Sequence, residues 1–221
     1  MPAQAWADLQ FDVQPTAMLP PGVEDMVLGL FARSYREADA EYLRESMHHL
    51  ANVSLAFHDG DLVAFALSSV RRLDLPRLGP QVVHLGGLAC VAPDFRRRGL
   101  LVELSRLGMG SGPEAPRLAC GRTAHPASFR RIPTMPGGVP KPGVRPTVWQ
   151  QEVGRAIAGA YGVRRFEPET FVCVGRGRPI GHPVIDIDAT PQEWELFRTV
   201  DRERGDSLLG IAWLDGPPPG W

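Results

Sequence analysis

Lysine is almost absent from this 221-residue chain: Lys141 is the only one, and arginine supplies nearly all of the positive charge. Chemistry that depends on a lysine amine therefore has a single candidate residue. The formal net charge is −1 at pH 7, which argues against a nucleic-acid partner held by bulk positive potential. The arginine bias, with abundant Pro, Gly and Ala, reflects a GC-rich genome better than it indicates a function.

Cysteine is also scarce, and its pattern excludes two further classes of protein. Cys90, Cys120 and Cys173 are odd in number, lie in apolar strand-like runs and lack the spacing of metal ligands. A disulfide framework and a zinc site are therefore not expected, and no metal is predicted. These cysteines are interpreted as buried, small apolar side chains.

Long hydrophobic runs are missing as well. No stretch approaches the ~20 apolar residues that a membrane span requires, so no membrane partner is expected. Residues 1–12 contain acidic residues and lack the basic, apolar pattern of an export signal, which predicts a cytoplasmic location.

The chain does contain a regular alternation of strand-like and helix-like segments. Strands are predicted at 9–13, 52–58, 62–70, 81–91, 117–123, 171–174 and 207–214, and helices at 23–34, 38–50, 100–107, 147–161 and 190–204. Asp59-Gly60-Asp61 is a strong hairpin signal between the second and third strands. The pattern predicts one α/β (α+β) domain over 1–221 with a mixed sheet, whose strand order the pattern does not reveal.

Local signals mark two helix starts and two irregular segments. Thr147 with Gln150, and Thr190 with Glu193, form capping boxes. Residues 133–146 are rich in Pro and Gly and lack periodicity; such a loop either lines an acceptor site or is a loose insertion. The tail over 217–221 is expected to be loose.

The most informative segment is 85–107, where an apolar run is followed by a turn and then by helical spacing. Arg96, Arg97 and Arg98 stand where the helix should begin. A cation at a helix N-terminus is unfavourable by roughly 0.3–1 kcal/mol, so the cluster makes sense if an anion binds there. The segment therefore predicts a phosphate cradle; the alternative is a solvated basic turn.

Residues 91–101 resemble the coenzyme A signature of the GNAT acetyltransferases: Arg or Gln, two residues, Gly, one residue, then Gly or Ala. Arg96 and Gly99 match the signature, whereas Leu101 stands where the family has a small residue. The resemblance implies a GNAT-like acyl-CoA transferase fold, with a mixed, bent sheet that splays open beside the strand ending near Val91. The helix over 190–204 is extra to the minimal family plan.

The same resemblance implies how acetyl-CoA, the acyl donor, would be bound. Its pantetheine arm would lie along Ala89, Cys90 and Val91, with a backbone N–H holding the thioester carbonyl. Its pyrophosphate would be bound by the segment that follows, namely Arg96, Arg97, Arg98, Gly99, Leu100 and Leu101. The Cys90 thiol is not expected to act as a nucleophile, because nothing in the sequence places an activating base beside it.

The family's usual acid and base are both missing. Relatives often have a glutamate near the start of the central strand, where this chain has His84, which is a candidate base; a strand histidine without catalytic function and a water relay are the alternatives. His125 stands where many relatives bind the pantetheine arm, and is either a ligand or proton carrier or a surface histidine. The position of the family's tyrosine acid falls at Ile132 and Pro133.

These features predict an acyl-CoA-dependent N-acyltransferase that moves an acetyl group from acetyl-CoA to an amine of a small molecule or peptide. The alternative is an acyl-CoA-binding or regulatory module without catalysis on the same fold. A nucleotide-binding phosphate module is weaker, because the chain has no glycine-rich triple and no phosphate-loop lysine. A homodimer is left open.

Overall fold

The computed structural model describes residue 6, residues 8–184 and residues 188–221. Its strands are β1 (Leu9–Pro15), β2 (Tyr35–Arg36), β3 (Asn52–His58), β4 (Asp61–Leu75), β5 (Gly79–Val91), β6 (Leu118–Thr123), β7 (Phe166–Glu167), β8 (Val172–Cys173), β9 (His182–Pro183) and β10 (Ser207–Trp213). Its α-helices are α1 (Pro21–Ser34), α2 (Ala40–His49), α3 (Leu100–Met109), α4 (Pro126–Phe129), α5 (Val148–Ala160) and α6 (Pro191–Glu195). Short 3₁₀ turns occupy Thr16–Met18, Pro93–Phe95 and Ile132–Thr134.

Eight strands form one mixed sheet in the order β1-β3-β4-β5-β6-β10-β8-β7. The β5–β6 pair is parallel, and the connection between these strands passes through α3. The other neighbouring strands of this sheet are antiparallel. The predicted fold class, a mixed sheet flanked by helices, is confirmed, and the structure supplies the strand order.

The hairpin predicted at Asp59-Gly60 is confirmed by its backbone. Asp59 has φ 51° and Gly60 has φ 87°, and His58 pairs with Asp61 across the turn. Two successive positive φ angles are typical of the type I′ turn, whose twist matches that of the flanking strands.

Helices cover both faces of the sheet. On one, the α3 face, Leu100 and Leu104 pack with alanines of β3 and β4. This contact is close, because a Cβ added at Gly108 would lie 2.4 Å from the Ser68 hydroxyl oxygen. On the other, the α5 face, apolar residues of α1, α2 and α5 join the main core, represented by Phe31, Leu43 and Ile157.

Arg71 of β4 ties two helix ends together on the α5 face. Its guanidinium donates to the carbonyl oxygen of His49, at the end of α2, and to that of Ala160, at the end of α5, the latter at 3.0 Å. The last carbonyls of a helix have no partner within the helix and carry partial negative charge. One cation therefore stabilises both helix C-termini.

The helix predicted over 190–204 is shorter than expected. The Thr190–Glu193 capping box is present, but α6 ends at Glu195. Beyond it the N–H groups of Phe197 and Val200 donate to carbonyls three residues earlier, as in successive turns. The prediction of a full helix was therefore wrong. Asp206 accepts from the N–H of Asp201 and of Gly175, which bends the chain back toward β10.

The Pro/Gly-rich segment and the tail pack against β10. Val139 and Ile211 exchange two backbone hydrogen bonds of 2.9 Å, so the segment extends the sheet locally. Trp221 donates its indole N–H to the Gly137 oxygen at 2.8 Å and packs edge-on against Trp213. The expectation of a loose tail was wrong, because the terminal tryptophan anchors it.

No helix in the described part of the chain is long and apolar enough to cross a membrane.

Candidate functional site

The sheet opens between its two parallel strands. Pairing of β5 with β6 runs from Val83–Leu118 to Gly86–Gly121. Beyond that point β5 continues to Val91 along β4 alone, and β6 continues to Thr123 along β10 alone. The edge of β5 after Gly86 therefore faces an opening, here called the gap. This opening lies beside the strand that ends at Val91, as the sequence resemblance implied.

A bulge sets which side chains of β5 face which side of the sheet. Ala66 of β4 pairs with Ala89 and Ser68 pairs with Gly86, so that β5 contributes one extra residue between the two pairs. The extra residue inverts the alternation along the strand. As a result Ala89 belongs to the core cluster of the α3 face, whereas Cys90 belongs to that of the α5 face.

Tyr161, which follows α5, marks the point where the strands separate. Its hydroxyl lies 2.8 Å from the carbonyl oxygen of Gly86 and 3.1 Å from that of Cys120, one on each strand. The Tyr161 side chain is buried, and burial raises the pKa of the phenol well above its ordinary value. The hydroxyl therefore remains a proton donor at the fork of the sheet.

The loop from β5 to α3, residues 92–99, is here called the arginine loop. Arg97 has φ 63° and Gly99, the N-cap of α3, has φ 78°. Successive turns of this kind aim backbone N–H groups at one point. Gly99 has no side chain with which to cap α3, so the N–H groups of Leu100 and Leu101 face outward from the first turn.

The arginines of this loop have different positions. Arg96 folds back and donates from Nε to the Val91 carbonyl at 3.0 Å, which ties the loop to the end of β5. Arg97 is exposed at the tip. Arg98 is exposed and lies over the Phe95 ring, 5.4 Å from its centroid.

One pocket of about 290 Å³ connects the arginine loop to the gap. Of the predicted cofactor residues, all except Arg98 line it. The structure thus brings together Ala89, Cys90, Val91, Arg96, Arg97, Gly99, Leu100 and Leu101. Leu101, the departure from the family signature, is 40% exposed and forms an apolar patch beside the first turn of α3.

The pocket also has walls that sequence reasoning missed. Ser34 and Tyr35, at the junction of α1 and β2, line its far side together with Ala127 and Ser128 of α4 and with Val184. Val184 is held there because its N–H donates to the Ser34 carbonyl at 2.8 Å. No local pattern marks these residues, since they meet only through the tertiary fold.

The cysteines are buried and free, as the sequence indicated. Burial raises the pKa of the Cys90 thiol to about 12, against smaller opposing effects of the Ser34 hydroxyl and Arg96. Cys90 is therefore a thiol at neutral pH and not a thiolate nucleophile. Within the described residues, no group of three or more His, Cys, Asp or Glu side chains is arranged to hold a metal ion.

His84 lies outside the pocket. It is 4% exposed and pairs with Val70 of β4, on the α3 face, and its Nε2 has no hydrogen-bond partner among the described residues. Burial lowers its pKa to about 4. The imidazole is therefore neutral at physiological pH and a weak base, so its position favours a structural role over the predicted catalytic one.

His125 does not line the pocket either, although Ala127 and Ser128, which follow it closely in sequence, do. It is the N-cap of α4, and its Nδ1 accepts from the Ala127 N–H at 3.2 Å. Its ring packs edge-on against Trp194, with centroids 5.3 Å apart. Burial, with the positive charges of Arg202 and Arg130, lowers its pKa, which suits a ring nitrogen that accepts a hydrogen bond.

Another pocket, of about 270 Å³, lies between α4, α6 and the Pro/Gly-rich segment, with Pro133 and Pro142 in its wall. That segment therefore does not line the pocket of the gap. The segment is packed in place against β10 and is not a loose insertion. The other role, lining an acceptor site, stays a prediction.

No protein-family model matches the sequence, and no curated protein is similar to it in sequence. Solved structures do match. A ribosomal-protein-S18-alanine N-acetyltransferase from Escherichia coli is 12% identical, with a TM-score of 0.44 over 96% of this chain and 99% of that one. A GNAT family N-acetyltransferase from Escherichia coli, in complex with CoA, is 18% identical, with a TM-score of 0.43 over 56% of this chain and 67% of that one.

An aminoglycoside acetyltransferase from an uncultured soil metagenomic sample, in complex with trehalose, is 17% identical, with a TM-score of 0.32 over 45% of this chain and 66% of that one. These TM-scores are below 0.5, so the functional proposal is based on the gap and the arginine loop. The names of two of the matching structures include the GNAT family.

Proposed function

We propose that this protein is an acyl-CoA-dependent N-acyltransferase, which moves an acetyl group from acetyl-CoA to an amine of a small molecule or peptide. One observation carries the proposal: a single pocket joins the first turn of α3 to the unpaired edge of β5 in a sheet that opens beside it. That combination matches the shape of an acyl-CoA molecule, which has an anionic head and a long amide-bearing arm.

The head of the coenzyme would bind at the arginine loop. Its pyrophosphate would accept from the N–H groups of Gly99, Leu100 and Leu101 at the start of α3, where the helix dipole favours an anion. Arg97 and Arg98, both exposed, would add positive charge, so affinity should fall with rising salt.

The arm of the coenzyme would lie along the edge of β5. Backbone groups of Ala89, Cys90 and Val91 would bond the pantetheine amides as an added strand does. A backbone N–H there would hold the thioester carbonyl and stabilise the oxyanion that forms when the amine attacks. The C–N bond then forms, the C–S bond breaks, and coenzyme A leaves as a thiol after taking up a proton.

The proton of the attacking ammonium needs an acceptor, and no Asp, Glu or His lines the pocket among the described residues. We propose that water removes this proton. The assignments of His84 as the base and of His125 as a ligand or proton carrier stay predictions. If His84 is the base, His84→Ala should flatten the rising limb of the pH–rate profile at limiting amine without changing coenzyme affinity.

The same lack of an Asp, Glu or His side chain in the described pocket lining favours a second candidate function, an acyl-CoA-binding or regulatory module without catalysis. Both candidates require coenzyme binding, and only the enzyme releases free thiol in the presence of an amine. A cytoplasmic location and a homodimer stay predictions.

The test combines binding and turnover. Coenzyme A should raise the melting temperature of the protein, because a ligand that binds only the folded state adds RT ln(1 + [L]/Kd) to its stability. Desulfo-coenzyme A should do nearly as well, and acetate should have no effect. Thiol release from acetyl-CoA with a panel of amines then separates the enzyme from the silent module. If millimolar coenzyme A does not shift the melting temperature, both candidate functions are overturned.

A further inference from the structure

Arg122 is a half-buried guanidinium at the mouth of the gap, and the coenzyme site described above does not use it. It directly follows Gly121, the last residue of β6 that pairs with β5. Its Nε donates to the Ser207 hydroxyl at 3.1 Å, and its guanidinium lies over the Tyr161 ring, 5.5 Å from the centroid. The side chain is thus fixed on the α5 face, beside the fork that Tyr161 holds.

The charge of Arg122 has no carboxylate partner. Among the described residues, no Asp or Glu oxygen lies within 4.0 Å of it, and its terminal nitrogens have no hydrogen-bond acceptor. The nearest aspartate in sequence to Ser207 is Asp206, which pairs with Arg204 instead. An arginine removed from water without an anion is costly, so its retention at this point favours an anionic ligand.

The neighbours of Arg122 are neutral and aromatic. All of the chain's tyrosines, Tyr35, Tyr42 and Tyr161, gather on this side of the sheet. Tyr35 lines the pocket. Tyr161, whose ring Arg122 covers, bonds the Gly86 carbonyl where the gap begins. Arg122 therefore lies beside the start of the gap, which the pocket adjoins.

We propose that Arg122 binds a carboxylate of the acceptor, so that the acceptor is a small amine that also carries a carboxylate, as an α-amino acid does. The two terminal nitrogens present the fork that a carboxylate fits with two parallel hydrogen bonds. This proposal rests on the proposed acyltransferase function and names the substrate class of the same site.

The experiment compares amino acids with the amines that lack only the carboxylate: L-phenylalanine with 2-phenylethylamine, L-tyrosine with tyramine, and L-lysine with cadaverine. Thiol release from acetyl-CoA gives kcat/KM for each pair. The amino acid of at least one pair should be favoured by about 10- to 150-fold, the range expected for a hydrogen-bonded charge pair. Arg122→Gln should remove that preference, and Arg122→Lys should keep part of it.

Arg117→Gln is the matched control, because Arg117 also lies over an aromatic ring, that of Trp213, but at the opposite end of β6. It should leave the preference unchanged. Each variant is compared by its melting temperature and coenzyme affinity, so that misfolding is recognised. Transfer to amines without a preference for the carboxylate, or a preference that survives in Arg122→Gln, would overturn the proposal.

The two proposals fail separately. If coenzyme A binds but no thiol is released, calorimetry of each pair with the coenzyme-loaded protein replaces the rate, and the same preference and the same loss in Arg122→Gln are expected. If coenzyme A does not bind, the acyltransferase function fails. Calorimetry with the free protein then tests the carboxylate site at Arg122 by itself. Equal binding of the amino acid and of the amine that lacks the carboxylate would refute that site.

Discussion

The two sides of the gap are built in different ways. On the α3 face, the site consists of backbone groups and arginines from one continuous segment, residues 91–101. On the α5 face, Ser34 and Tyr35 at the end of α1 line the pocket, and Tyr161 after α5 and Arg122 on β6 lie beside the gap. A contiguous segment leaves a signature in the sequence, whereas a site assembled from distant positions leaves none.

The prediction with the largest expected effect tests whether backbone geometry alone forms the coenzyme site on the α3 side of the gap. Gly99→Pro should reduce coenzyme A affinity by about 100-fold or more, because proline requires φ near −65° and removes an N–H donor from the cradle. Gly99 has φ 78°, which proline does not adopt. The measurement is calorimetric titration with coenzyme A.

Gly143→Pro is the matched control, since Gly143 also has a positive φ of 70° but lies in the Pro/Gly-rich segment, away from the pocket. It should strain the chain in a similar way and leave coenzyme affinity unchanged. A Gly99→Pro variant that binds like the parent protein would place the pyrophosphate elsewhere.

The second prediction tests whether His84 has a structural role as a buried, neutral side chain on the α3 face. Burial lowers its pKa to about 4, below the ordinary value of 6.5. Between these values the unfolded chain takes up a proton that the folded chain does not. The free energy of unfolding therefore has its full value above pH 6.5 and should fall by roughly 3 kcal/mol as the pH drops to 4.

Urea unfolding at several pH values measures this slope. His84→Leu should flatten it between pH 4 and 6.5, whereas the same change at His48, an exposed histidine of α2, should not. An unchanged slope in His84→Leu would show that this imidazole titrates freely.

The third prediction tests the hydrogen bonds that Tyr161 makes where β5 and β6 separate. Tyr161→Phe should lower the free energy of unfolding by about 1–3 kcal/mol, because it leaves the Gly86 and Cys120 carbonyls without their shared donor. Tyr42→Phe is the control: the Tyr42 hydroxyl makes no hydrogen bond to the described residues, so its loss should change stability little. Equal effects of the two substitutions in urea unfolding would argue against a special role of the fork.

The smallest effect concerns one exposed charge. Arg98→Ala should weaken coenzyme A binding by only about two- to fivefold, since surface charge interactions contribute roughly 0.3–1 kcal/mol. The difference should shrink at high salt. Arg155→Ala removes an equally exposed arginine from α5 and should have no effect. A loss of binding as large as that of Gly99→Pro would mean that side-chain charge, and not backbone shape, dominates the cradle.

The sequence by itself determined the local features. The Asp59-Gly60 turn, both capping boxes and the arginine loop follow from residues a few positions apart, because turn and cap geometry depends on neighbouring backbone groups. It also predicted a strand, a loop and a helix start over one continuous segment, most of whose residues line one pocket; coenzyme binding by them stays a prediction.

Only the tertiary structure decided the rest. The bulge in β5 assigned Ala89 and Cys90 to opposite faces, and the sheet placed His84 on the α3 face, where burial lowers its pKa. The tertiary structure also showed that α6 ends at Glu195, and it brought Arg122 of β6 against Tyr161, which follows α5. These contacts join residues that are distant along the chain, and side-chain periodicity records burial but not the identity of the partner.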